Sequence, residues 1–313
     1  MIKKIYDKHT IYFWIFSIIL SSLTLVMSEN FLFSNNLAIP FVCFLLILTV
    51  GISHGALDNL KGNKILKIYK IDNKAIFYLI YIIFSIFIII LWIFFPTFTL
   101  MFFLLVASYH FGREDTYFVN EGNSNLDQFF YLIKGSLIIC APLFFHISET
   151  LKIFEILYIK NEILFFIKDK HWIINIFLGL GVLGYFYFLL KNRFLNFRTL
   201  FLDMFSILAL NVVFPPIIAF TLYFCFLHSV RHIISLSNEL DKNNFKNGLK
   251  LFAKKALPLT LITGILYVIA VVFLSNSYGL NDAILKVIFI GLASLTFPHI
   301  LLEYLIEKNE KRN

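Results

Sequence analysis

The chain has 313 residues, 59% of them hydrophobic and only 15% charged, with a mean hydropathy of +0.83. That balance excludes an ordinary water-soluble domain, which needs far more polar surface. The net charge of +8 does not indicate a nucleic-acid partner, because the basic residues fall in short segments between apolar runs, the pattern of membrane loops.

A helix crosses a bilayer with about 20 apolar residues. In chain order, the apolar runs predict membrane helices at about 11–27, 37–56, 75–95, 97–117, 128–146, 171–190, 199–214, 217–236, 256–275 and 282–304. The expected fold is an all-α polytopic membrane helix bundle of about ten transmembrane helices, in one integral membrane domain covering 1–313. Lys3 and Lys4 ahead of the first run suggest a signal peptide, but no small-residue cleavage pattern follows Met27, so the run is read as the first span. Pro96 separates the third and fourth spans, and Pro215 and Pro216 separate the seventh and eighth. The 148–170 segment is interrupted by Lys152, Glu155, Lys160 and Glu162 and is expected to be interfacial or extramembrane. Cys43, Cys140 and Cys225 lie in apolar runs at no disulfide or zinc spacing and are read as packing residues. The 39 phenylalanines fit A/T-rich codon usage and are not taken as a ligand tunnel.

Basic residues fix the expected orientation. With the N-terminus inside, the inside segments carry 20 of the 27 Lys and Arg residues; the outside loops carry four, all in 148–170. Both termini are therefore expected in the cytoplasm.

Ionisable residues within spans default to a functional reading, because burying them in hydrocarbon is costly. His54, His110, His228, His232 and His299 lie in the second, fourth, eighth, eighth and tenth spans. These even-numbered helices run in one direction, and each histidine sits in the middle or later part of its helix. A shared depth in the cytoplasmic half follows. His228 and His232 are four apart, so both imidazoles lie on one helix face and can reach one ion. An all-nitrogen site suits iron, copper, nickel or zinc. Asp58, Glu114 and Glu303 each follow a histidine by four residues, with Asp115 beside Glu114. Each is expected to accept the other N–H of the imidazole one turn back. Arg231 is expected either to pair with one of these carboxylates or to snorkel to the surface. His299, after Pro298, is read as a substrate contact or a satisfied interior histidine, outside the ligand set. His9, His146 and His171 are read as interfacial. Tyr109 and Tyr223 are near the ligands but are read as packing or interfacial residues.

His-Gly-Ala-Leu-Asp at 54–58, Tyr-His-Phe-Gly at 109–112, His-Ser-Val-Arg-His at 228–232 and Pro-His at 298–299 resemble the signature blocks of the Brp/Blh family, bacterial and archaeal membrane β-carotene 15,15′-dioxygenases. The resemblance runs from about 37 to 305, in the same order. It implies Fe(II) as cofactor, with His54, His110, His228 and His232 as ligands. It also implies oxidative cleavage of the central double bond of β-carotene by dioxygen to give two retinal molecules, in the cell's inner membrane, with a rhodopsin as recipient of the product. Asn59, where many relatives carry His, and Arg113 in the acidic stretch depart from the pattern, and neither is a proposed ligand. Two other classes stand beside this reading. A di-iron desaturase or hydroxylase needs several more histidine boxes than this chain has. A transporter or b-type haem protein leaves one histidine pair unexplained.

Overall fold

The computed structural model describes residues 2–26, 38–119, 124–192 and 196–310. Among them there are helices, short turns and no strand. This is the expected solution for a chain with apolar surroundings, because a helix satisfies its own backbone hydrogen bonds.

All ten predicted spans are helical; the boundary residues Met27 and Leu37 lie outside the described residues. The first is α1 (Ile2–Val26). The second is composite: α2 (Ala38–Leu46), a π-helical stretch Ile47–Gly51, a 3₁₀ stretch Ile52–Leu57, and α3 (Asp58–Ile68). Then come α4 (Ala75–Phe94), α5 (Pro96–Glu114) and α6 (Asn125–Phe145). The segment predicted as interfacial forms two short helices, α7 (Ile147–Ile156) and α8 (Asn161–Asp169). After α9 (His171–Lys191) and α10 (Phe197–Val213) comes a second composite helix: α11 (Pro216–Leu222), the π stretch Tyr223–Ser229, and α12 (Val230–Leu240). The last two are α13 (Phe245–Tyr278) and α14 (Leu280–Glu310), parted by Gly279 at φ 75°.

Eight helices are long and apolar enough to cross a bilayer. The other two predicted spans, α5 and α10, fall just short. Polar residues near its end dilute α5, and α10 has only 17 residues. The chain is a multi-pass membrane bundle. Pro96 and Pro216 each occupy the first turn of the helix they open, where the missing N–H costs nothing.

The inner packing relies on small residues. A Cβ on Gly112 of α5 would fall against the Tyr131 carbonyl of α6, and one on Gly135 of α6 would fall 2.7 Å from the Gly112 nitrogen. On the other side of α6, Gly184 of α9 sits against Lys134, whose Cα would be 2.7 Å from an added Cβ. Three helices are thus in near backbone contact, the usual route to tight packing where lipid gives no hydrophobic drive. The capping box of Ser124 and Asp127 starts α6, and Asp127 also accepts from Tyr187 at 3.1 Å and from Lys191, tying α6 to α9. By contrast, α4 and α13 bury little of their apolar length and face outward.

The α7–α8 segment closes one end of the bundle. Trp92 donates to the Leu157 carbonyl at 3.2 Å, and Lys286 donates to the Ile156 carbonyl while its ammonium stacks 3.4 Å from the Tyr158 ring. The opposite end is tied by Lys61 to Glu303 at 2.8 Å and by Arg113 to Glu307. The histidines lie toward this second end.

Candidate metal centre

Irregular backbone positions two of the histidines. The Ile47–Gly51 π stretch delivers the chain into the 3₁₀ stretch that carries His54, and His228 sits near the end of the Tyr223–Ser229 π stretch. A π turn adds a residue to an α-helix and re-aims everything after it, which is why such turns concentrate at functional sites. The two stretches meet at Gly51, where an added Cβ would lie 2.7 Å from the Phe224 ring. His110 is carried by α5 next to the Gly112 close approach, His232 by α12 and His299 by α14.

All five imidazoles converge. Ring centroids of His54 lie 5.4 Å from His228, 5.4 Å from His232 and 5.7 Å from His299. Those of His110 lie 5.1 Å from His228 and 5.3 Å from His299, and His232 lies 5.6 Å from His299. The residues are 1–8% exposed, so the cluster is closed to bulk water. The tightest groups of metal-ligating atoms among the described residues are His54, His110 and His299, and His232, His299 and Glu303, each within 4.8 Å.

Four of the five rings have Nδ1 occupied by an oxygen acceptor. His54 Nδ1–H donates to the Gly51 carbonyl, with the Ser229 hydroxyl at 3.1 Å. His228 donates to Asp115 at 3.2 Å, His232 to Glu114 at 3.3 Å, and His299 to Asp58 at 2.8 Å. His110 Nδ1 stands 3.9 Å from Glu303. A proton held on Nδ1 leaves Nε2 with a free lone pair. The Nε2 atoms of His228, His232 and His299 are buried without a hydrogen-bond partner among the described residues. Buried unpaired nitrogens are costly. Several of them facing one another fit a cation bound between them, with oxygen partners fixing the tautomers from behind.

The carboxylates act across helices and not one turn back along their own. Asp58 serves His299, and Tyr81 donates to it at 3.0 Å. Its expected partner, His54, lies on a 3₁₀ stretch, where three residues per turn place residue i+4 about 120° away from residue i. Glu114 serves His232 in place of His110. Glu303 makes its closest contact with Lys61 at 2.8 Å and stands 3.6 Å from His299 and 3.9 Å from His232. Asp115 accepts from both His228 and Tyr223, the latter at 2.6 Å, so Tyr223 orients a carboxylate and not a substrate. Tyr109 is turned away, donating to Gln128.

Arg231 neither snorkels nor pairs with any of the carboxylates expected to hold it. Its guanidinium is bidentate to Asp203 of α10 at 2.7 and 2.6 Å, donates to Thr10 at 2.8 Å and stacks 4.3 Å over the Tyr6 ring. At 2% exposure it is fully interior, and only a carboxylate at the same depth can balance it. Asp203, a lone acid in an apolar span, carried the signal that sequence reasoning passed over.

The Asp115 contact gives a graded prediction. Asp115→Asn keeps the shape but loses the charge that favours Nδ1–H on His228. Metal affinity is expected to fall about 10–100-fold, read by competition with a chromogenic chelator. An unchanged affinity would show that Asp115 does not act on the site.

Comparison with known proteins gives a consistent result. A family model described as Beta-carotene 15,15′-dioxygenase matches residues 45–307, a stretch that contains all five histidines. A curated relative named Beta-carotene 15,15′-dioxygenase, from an uncultured marine bacterium (66A03), is 28% identical over 280 residues, 88% of this chain and 96% of the relative. No solved structure matches.

Proposed function

We propose that this chain, which belongs to the beta-carotene 15,15′-dioxygenase family, splits β-carotene at a single non-haem Fe(II) ion held by His54, His110, His228 and His232. The family makes it an oxidoreductase that cleaves a carotenoid. In the proposed reaction the central double bond breaks and each half takes one atom of dioxygen, so the products are two molecules of retinal. Atoms and electrons balance without an external reductant. The iron would supply the activation of dioxygen.

The observation that carries the reading is the ring of buried imidazoles with free, inward Nε2 atoms, inside the stretch the family matches. Neutral imidazoles suit Fe(II), and Asp58, Asp115 and Glu114 supply negative charge around them. The chain's own contribution is to fix the rings, exclude water from the cluster and seat a hydrocarbon against it. β-Carotene dissolves in the bilayer, so lipid is both solvent and source of substrate. The distribution of Lys and Arg supports the inner membrane with both termini in the cytoplasm. A rhodopsin is a fitting recipient for the product.

Cells that make β-carotene are expected to turn from orange to pale and to accumulate retinal when this chain is expressed, as read by chromatography. Cells that stay orange despite folded protein in the membrane would overturn the reading. A Soret band in the purified protein would replace it with a haem, and two irons per chain would replace it with a di-iron centre.

A further inference from the structure

We infer that His299 is a fifth imidazole on the same metal, positioned by Asp58 and Tyr81. The inference rests on the metal reading above and extends it. Both of the tightest ligand groups among the described residues contain His299, and one of them joins it to two of the four proposed ligands. Its ring faces His54, His110 and His232 at 5.7, 5.3 and 5.6 Å.

Its second nitrogen decides between roles. Nδ1–H is held by both oxygens of Asp58, at 2.8 and 2.9 Å, closer than the carboxylate contacts of His228 and His232. Asp58 is fixed in turn by the Tyr81 hydroxyl, which also reaches the Leu295 carbonyl of α14 at 3.2 Å. Nε2 is then the lone-pair side. It is buried, has no hydrogen-bond partner among the described residues, and points toward the other imidazoles.

A satisfied interior histidine uses both nitrogens, and this one does not. A substrate contact is excluded by chemistry, because a carotene is a hydrocarbon with nothing to donate to a lone pair. The nearest polar atom, Glu303 Oε1 at 3.6 Å, is itself an acceptor and is already bound to Lys61. A cation is what remains for Nε2 to bind. Pro298 assists: it removes the hydrogen bond to the Ser294 carbonyl one turn back and frees α14 to adjust where the ring enters the cluster. Five imidazoles leave one position on a six-coordinate ion and not two.

The test uses full-length protein in detergent or nanodiscs, reconstituted with Fe(II). X-ray absorption counts the imidazoles through their multiple-scattering signature. Five are expected in the wild type and four in His299→Ala, with iron affinity lowered about 10–100-fold in Asp58→Asn. Four in the wild type, with His299→Ala unchanged, would overturn the assignment. Should His299→Ala not fold, the wild-type count and Asp58→Asn decide. His228→Ala run in parallel separates the two readings. Loss of one imidazole there but none in His299→Ala sinks only the fifth ligand. A wild type that binds no iron, or binds it without imidazole, sinks the metal centre as a whole.

Discussion

His228→Ala is expected to abolish retinal formation and to lower bound iron well below one per chain. The residue is 1% exposed, its ring is within 5.4 Å of both His54 and His110, and Asp115 and Tyr223 stand behind it. Alanine removes a ligand and leaves a cavity ringed by imidazoles. Those rings cannot close the gap, because each is held from behind by its own acceptor. Removing one ligand of a preorganised site typically costs more than loss of an outer partner, so activity should fall by more than about 100-fold. The measurement is retinal yield per unit of folded protein, with iron content determined on the same sample. His171→Ala, at the exposed start of α9, serves as control and should retain wild-type yield. Near-normal yield in His228→Ala would remove this residue from the ligand set.

The largest effect on stability is expected at Asp203, outside the metal cluster. Asp203→Ala leaves the Arg231 guanidinium buried with only Thr10 and the Tyr6 ring around it. Breaking one half of a buried pair costs about 3–5 kcal/mol, a large fraction of what holds a typical domain together. The variant should be poorly recovered from membranes or melt far below the wild type in detergent. The cause is an orphaned charge and not a lost contact, so removing the charge as well should reverse it. Asp203→Leu combined with Arg231→Met is expected to recover most of the melting temperature. A double variant no better than Asp203→Ala would show that the pair's geometry, and not its charge balance, holds α10 to α12.

Periodicity and charge made much of this architecture legible. Each predicted span is a helix in the structure, because in hydrocarbon an apolar run of sufficient length has few other choices. The convergence of His54, His110, His228 and His232 was also readable, since spans running in one direction place residues at comparable depth. Partnerships between side chains were not. Asp58 lies four residues from His54 yet holds His299, and Glu114 lies four from His110 yet holds His232. Spacing along a helix identifies neighbours on that helix, whereas a carboxylate in a bundle takes whichever imidazole the crossing of two helices brings closest. Asp203 and Arg231 are 28 residues apart, and only the packing of α10 against the second composite helix brings them together. Nothing in the apolar pattern marked 47–51 or 223–229 as π-helical. That departure depends on what the turn must accommodate from the facing helix.

Those two π stretches make chain length part of the chemistry. In an α-helix each residue turns the chain by about 100°. Removing one residue between Tyr223 and Ser229 would convert the stretch to regular helix and swing everything after it by about that angle. His232 would then leave the cluster while Arg231 turned away from Asp203. Substitutions in this stretch alter packing, whereas a single insertion or deletion alters which way the site faces. The number of residues from Pro216 to His232 is therefore held as firmly as the identity of the two histidines it positions.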